Sequence, residues 1–172
     1  MHLRQRGITL VELLVIVAIL AIAAQIAIPA WQQFMENNRS QAVMHSIERA
    51  VHQARALAVT RRVSVELCGS SDGQQCSTNW SQGWILRPRA QGSTQPPPEQ
   101  IAGLDAGRLK LQWAGFQQNI VFHANGFSTA SNGRFFMCRE GAIDWQLVLN
   151  RQGRLRRASV QENREQDHRC GT

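Results

Sequence analysis

A chain of 172 residues, 43% of them apolar, with six Phe, five Trp and no Tyr, has room for about one folded domain and an appendage, and it carries too much apolar material to be disordered. Its formal net charge is +7, and 18 of its 19 basic residues are Arg. That balance favours nucleic acid, anionic lipid or acidic partners, and net charge by itself does not choose among them.

At the N-terminus a short basic segment with Arg4 and Arg6 precedes an apolar run over residues 8–28. At about 1.5 Å per helical residue the run reaches about 30 Å, enough to cross a bilayer. The basic flank predicts that residues 1–7 stay cytoplasmic and the rest faces outward. Three readings compete. A secretory signal has an apolar core of about 7–15 residues, shorter than this run. A plain anchor leaves Glu12 without a partner, at a cost of about 2.5–3.5 kcal/mol within a membrane.

The third reading gives Glu12 a partner. The stretch RGITLVELL, with Pro29 downstream, resembles the class III leader and N-terminal helix of type IV pilins and the related pseudopilins. The resemblance implies that a prepilin peptidase cuts after Gly7 and methylates the new N-terminus at Ile8. It also implies single-pass insertion in the inner membrane, C-terminal domain outward, before assembly with other major and minor pilins into an extracellular pilus. Glu12 then meets the N-terminal ammonium of a neighbouring subunit, which compensates a buried charge. Pro29 stands where the family helix kinks. Ile8 departs from the Phe that most members carry. Loss of residues 1–7 leaves 17 basic and 12 acidic residues, a net of +5.

Beyond Pro29 the helical period continues. Val43, Ile47, Ala50, Val51, Ala54, Leu57 and Ala58 recur at three- and four-residue spacing, a stripe suited to packing on a sheet. One helix is predicted over residues 8–60, with a membrane and filament-core half over 8–30 and an amphipathic half over 31–60. His45 and His52 are seven apart, not the four that a metal pair requires, and read as surface or boundary residues.

From residue 62 the apolar period becomes two. Strands are predicted over 62–68, 83–89, 109–115, 119–124, 134–139, 144–150 and 154–160, punctuated by Asp72-Gly73, Asn125-Gly126, Asn132-Gly133 and Gln152-Gly153. The stretch QGSTQPPPEQ (91–100) reads as a loop, because consecutive prolines cannot donate to a ladder. Residues 61–172 form one β-domain, with no internal repeat and no second domain.

Cys68, Cys76, Cys138 and Cys170 lack the close pairing of zinc ligands. The outward topology favours disulfides, Cys68 with Cys76 around a small turn and Cys138 with Cys170, tying the chain's end to a central strand. CGSSDGQQC followed by WSQGW, and FHANGFSTASNG at 122–133, resemble the GspH/FimT branch of the pilin family. That resemblance implies an α+β fold, a long N-terminal helix packed on an antiparallel β-sheet region. No nucleophile motif, phosphate-cradling loop, cofactor site or metal site is legible, so the chain reads as a non-enzyme. Asp72 reads as an Asx-turn group.

Arg151, Arg154, Arg156 and Arg157 put four charges in seven positions, which concentrates the mature surplus. On a strand, Arg154 and Arg156 share one face, and Leu155 and Arg157 the other, with Leu155 toward the core. Gly153 permits the tight turn before them. Guanidinium forks suit phosphate oxygens and hold a backbone without reading sequence. Gly153-Arg154-Leu155-Arg156 matches the G-R-x-R motif that DNA-binding members of the FimT branch carry in their C-terminal region. The resemblance implies that double-stranded DNA is held chiefly by Arg154 and Arg156, with Arg151 and Arg157 in support, for uptake in natural transformation. Three alternatives stay open. The hairpin can be solvated, its arginines paired with Glu162 and Glu165 or guarding a sheet edge. The protein can be a structural pseudopilin of type II secretion or an assembly-priming pilin without DNA binding. The arginines can meet anionic headgroups, which requires them to face the bilayer.

Overall fold

The structure, a computed structural model, describes residues 9–89, 96–103 and 109–171. Gly7 and Ile8 lie outside the described residues, as does much of the proline-bearing loop. Helix α1 spans Leu10–Arg61, continuous through Pro29, and the chain divides at Arg39 and Ser40 into two compact units.

In the first unit the helix leaves its apolar residues exposed, among them Leu13, Ile16, Ile19, Ile26 and Trp31. An 18-residue window there has a mean hydropathy of 2.7, and by length and composition this helix is able to cross a membrane.

In the second unit α1 becomes amphipathic. It buries Val43, Met44, Ile47, Ala50, Val51, Ala54 and Ala58, the stripe read from the sequence with Met44 added, while Leu57 is half-buried. Small residues at 50, 54 and 58 let the helix lie close to its sheets. Strands β1 (Val65–Gly69), β2 (Gly83–Pro88), β3 (Gln100–Gly103) and β5 (Ile120–Phe122) make one sheet in the order β3-β2-β1-β5. Strands β4 (Lys110–Gly115), β6 (Gly133–Arg139), β7 (Ala142–Leu149) and β8 (Leu155–Arg157) make another, β4-β6-β7-β8. Every pairing is antiparallel, and both sheets contribute to one core with the helix stripe. Trp80, Trp113 and Phe135 cluster at that core in tilted and edge-to-face contact, with ring centroids 4.6–6.4 Å apart. The fold is the expected α+β arrangement.

A polar group fixes the helix at the start of its buried face. Ser40, fully buried, donates to Asp144 and accepts from Trp145 Nε1 at 2.9 Å, while Arg139 holds the other Asp144 oxygen at 2.8 Å. A buried hydroxyl with two partners avoids the penalty of an unsatisfied one.

Both predicted disulfides are present. Cys68–Cys76 closes the turn in which Asp72 accepts from the backbone N–H groups of Gln74 and Gln75, the expected Asx geometry. Cys138–Cys170 ties the last residues to β6, an inner strand.

Two predictions need correction. Gln100–Gly103 forms strand β3 on β2, where the sequence suggested a loop through residue 100; the ladder begins just beyond the prolines. The strand expected over 154–160 stops at Arg157. Ser159 there caps a short helix, α2 (Val160–Glu165), followed by a 3₁₀ turn over Asp167–Cys170. The Ser159 side chain accepts from the Glu162 N–H, and the Glu162 carboxylate accepts from the Ser159 N–H, a capping box that outcompetes strand extension.

Replacing Cys138 and Cys170 by Ala is expected to lower unfolding free energy by about 2–4 kcal/mol, because the bridge closes a long loop. Denaturant titration of the variant against the parent checks this.

Candidate nucleic-acid interface

The four arginines sit on the β7–β8 hairpin and on the edge strand of its sheet. The hairpin turn is closed by its own backbone. Asn150 N–H donates to Arg154 O at 3.1 Å, Gly153 N–H donates to Asn150 O at 3.0 Å, and Asn150 Oδ1 accepts from Arg154 N–H at 2.9 Å. Gly153 is buried with φ +72°, a conformation that L side chains rarely adopt. A Cβ placed there would lie 2.6 Å from the carbonyl oxygen of Gly126 and 3.0 Å from the Phe122 ring. Thus the Gly153 turn rests directly on the Asn125-Gly126 turn, whose Gly126 also has a positive φ of 78°.

Two further bonds clamp the turn to the body. Ser128 N–H donates to Arg151 O at 3.0 Å, and Arg55 of α1 donates from Nη1 to Gly153 O at 3.1 Å. The backbone between Arg151 and Arg154 is therefore fixed from three sides, and the side chains of both arginines project as exposed groups.

The arginines are not electrostatically equivalent. Arg156 makes a bidentate pair with Glu162, Nη2–Oε1 2.7 Å and Nη1–Oε2 3.0 Å. Arg157 makes another with Glu48 of α1, Nε–Oε1 2.9 Å and Nη2–Oε2 3.2 Å, and its Nη2 lies 3.4 Å from His45 Nδ1. Among the described residues, Arg151, Arg154 and Arg55 have no carboxylate partner. Within β8 the alternation of Leu155, Arg156 and Arg157 follows the expectation. Leu155 packs on the core and Arg157 reaches α1 from the same face, while Arg156 points to α2. The weighting among the arginines differs, because Arg154 precedes the strand and stands open whereas Arg156 is taken up by Glu162, as the solvated-hairpin alternative foresaw.

Glu162 is placed by α2, and α2 is placed by β7. Gln146, buried, donates to Glu162 O at 3.2 Å and to Asn163 Oδ1 at 3.1 Å, and its own carbonyl accepts from Ala158 N–H at 3.0 Å. The Arg156 guanidinium, helped by the Ser159 N–H, holds the Glu162 carboxyl down at about 2, well under the ordinary carboxylate value. Glu48 is likewise lowered, chiefly by Arg157.

Arg55 of α1 was not among the residues that the sequence singled out. Its seven-residue spacing from Glu48 puts both on the stripe that the hairpin contacts, which was the available signal. Among the described residues one grouping of metal-ligand types occurs, Glu66 with Cys68 and Cys76. Its sulfurs are joined to each other, and Glu66 pairs with buried Arg87 at 3.2 Å, so it is a structural ion pair and not a metal centre. His45 and His52 are exposed on α1, as expected.

Comparison with known proteins follows the same lines. A family profile described as Type II transport protein GspH matches residues 43–153, and a prokaryotic N-terminal methylation motif matches residues 2–27. The type IV major fimbrial protein FimA of Dichelobacter nodosus is 32% identical over 84 residues, 48% of this chain and 47% of that one. The chain therefore spans about half the length of the curated relative it matches. Two crystal structures of the type IV minor pilin FimU of Pseudomonas aeruginosa share the fold. One has a TM-score of 0.59 at 23% identity, covering 73% of this chain and 92% of that one. The other has a TM-score of 0.55 at 20% identity, covering 69% and 92%.

Gly153→Ala is expected to destabilise the fold by more than about 1 kcal/mol, since both the φ and the space oppose a Cβ; thermal unfolding reads this. The Glu162 carboxyl should titrate near 2 by NMR and move up toward the ordinary value in Arg156→Gln. Because the folded value is the lower one, this contact supports the fold above about pH 4.5 and fades as pH falls from there toward about 2.

Proposed function

The chain belongs to the GspH family of type IV pilin-like proteins, and from that premise we propose that it is a minor pilin whose arginine-bearing hairpin holds duplex DNA for uptake. In this reading the precursor is cut after Gly7 and methylated at Ile8. Glu12 meets the N-terminal ammonium of a neighbouring subunit in the filament. Pro29 sets the kink of the filament-core helix. Family membership supports other pilins and prepilin peptidase as partners.

The observation that carries DNA binding is the rigid turn at Gly153, which holds the exposed, carboxylate-free side chains of Arg151 and Arg154 beside the paired Arg156 and Arg157. Guanidinium groups on a fixed backbone bind phosphate oxygens with little ordering cost. Arg154 and Arg151 make the primary contacts, and Arg156 and Arg157 engage by exchanging their carboxylates for phosphates. Contacts of this kind are independent of base sequence. The second reading, a structural pseudopilin of type II secretion, is favoured by the description of the matching family profile.

Duplex binding by the full chain in neutral detergent, followed by fluorescence anisotropy across a salt series, separates the two. Three or four newly neutralised phosphates give a slope of log K on log salt near −3, and two give about −2. Because Arg156 and Arg157 are already neutralised, the slope should lie near −2. R151Q/R154Q should lose most of the affinity and R156Q/R157Q less. A parent that does not bind leaves the structural pseudopilin standing.

A further inference from the structure

Glu162 and Glu48 hold two arginines in the geometry that a phosphate would require. Each carboxylate presents two oxygens to one guanidinium edge, with all four N–O distances between 2.7 and 3.2 Å. Neither pair is buried. Side-chain exposure is 58% for Arg156 and 39% for Glu162, and 51% for Arg157 and 24% for Glu48. Both pairs stand in reach of water and salt, which screen them, so a competitor of like geometry can open them. Each carboxylate also has a contact besides its arginine. Glu162 accepts from the Ser159 N–H at 2.8 Å within the cap of α2, and Glu48 contacts His45 at 3.0 Å on α1.

We propose that Glu162 and Glu48 are specificity-determining residues of the arginine edge, internal stand-ins for phosphate that admit a dense polyanion and reject isolated phosphate groups. This rests on the DNA-binding reading above. A tethered carboxylate acts at a high effective concentration, and a free phosphate monoester must compete with it from dilute solution. A polyphosphate backbone already seated on Arg151 and Arg154 delivers its next phosphates at a comparable effective concentration. The exchange then becomes intramolecular on both sides. Arg156 swaps one bidentate partner for another, and the freed carboxylate takes up a counterion. That last step has a measurable signature. In the parent, phosphate neutralisation by Arg156 and Arg157 releases no net counterion, whereas removal of the carboxylate restores the release.

The test measures duplex affinity and its salt slope for the full chain in neutral detergent, with E162Q, E48Q and the double variant. Gln at 162 retains the capping box, since Glu and Gln serve equally there, and position 48 is an independent site should α2 be disturbed. Each single variant is expected to bind about two- to fivefold tighter, the range that opening an exposed pair implies. Each should also steepen the slope by about 0.9. The E162Q gain should vanish in an R156Q background, and a mononucleotide should bind detectably only to the double variant. Unchanged affinity and slope in all three carboxylate variants overturn the proposal. So does a gain from E162Q that survives R156Q, which marks general loss of negative charge. A parent chain that binds no duplex overturns the DNA-binding reading itself, an outcome distinct from both.

Discussion

Two turns touch through their backbones, and the arginine edge depends on that contact. The carbonyl of Gly126 lies where a side chain at Gly153 would begin, and both glycines adopt a positive φ. With no Cβ between them, the β7–β8 hairpin settles onto the loop after β5. Ser128 can then reach Arg151 O and Arg55 can reach Gly153 O. Remove the close approach and three things move together: the hairpin, the open arginines at its tip and the start of β8. The glycine of the G-R-x-R pattern serves this protein's own packing, and the arginines take their positions from it.

Electrostatics then divides the edge. Four guanidinium groups lie within seven residues, which would repel one another if left alone. The fold relieves this by bringing Glu48 from α1 to Arg157 and Glu162 from α2 to Arg156. The charge left open concentrates at the turn, where the backbone is best held. Local net charge is thus lower than the sequence total suggests, and its placement is sharper.

How far this was legible varies with the range of the interaction. The stripe from Val43 to Ala58 and the alternation in β6 and β7 follow from local periodicity, so helix and strands could be read directly. The cystine pairs followed from topology and spacing. Strand β3 was hidden by the three prolines before it, whose effect ends a residue or two before the ladder starts. Helix α2 was hidden by the alternation of RLRRASV. Ser159 and Glu162 nevertheless spelled a capping box, a signal that was present and outweighed. The partner of Arg157 was not legible, since Glu48 lies 109 residues away and nothing local joins them. Arg55 and Gly153 are 98 residues apart, and the spacing of Arg55 from Glu48 gave its helix face without naming its partner. The motif named the arginines, and only the tertiary contacts separated open from paired ones.

That the edge is made of arginine has a consequence for letting go. A guanidinium keeps its proton throughout the physiological range, unlike histidine or a buried lysine. It is also beyond the reach of acylating chemistry aimed at amines, for which Lys110 is the one side chain in the sequence. If the hairpin holds DNA as proposed, a polyanion at the Gly153 turn cannot be shed by neutralising the protein. It leaves only when ions crowd it off or when another surface binds it more strongly, so release is a matter of handover to a stronger acceptor.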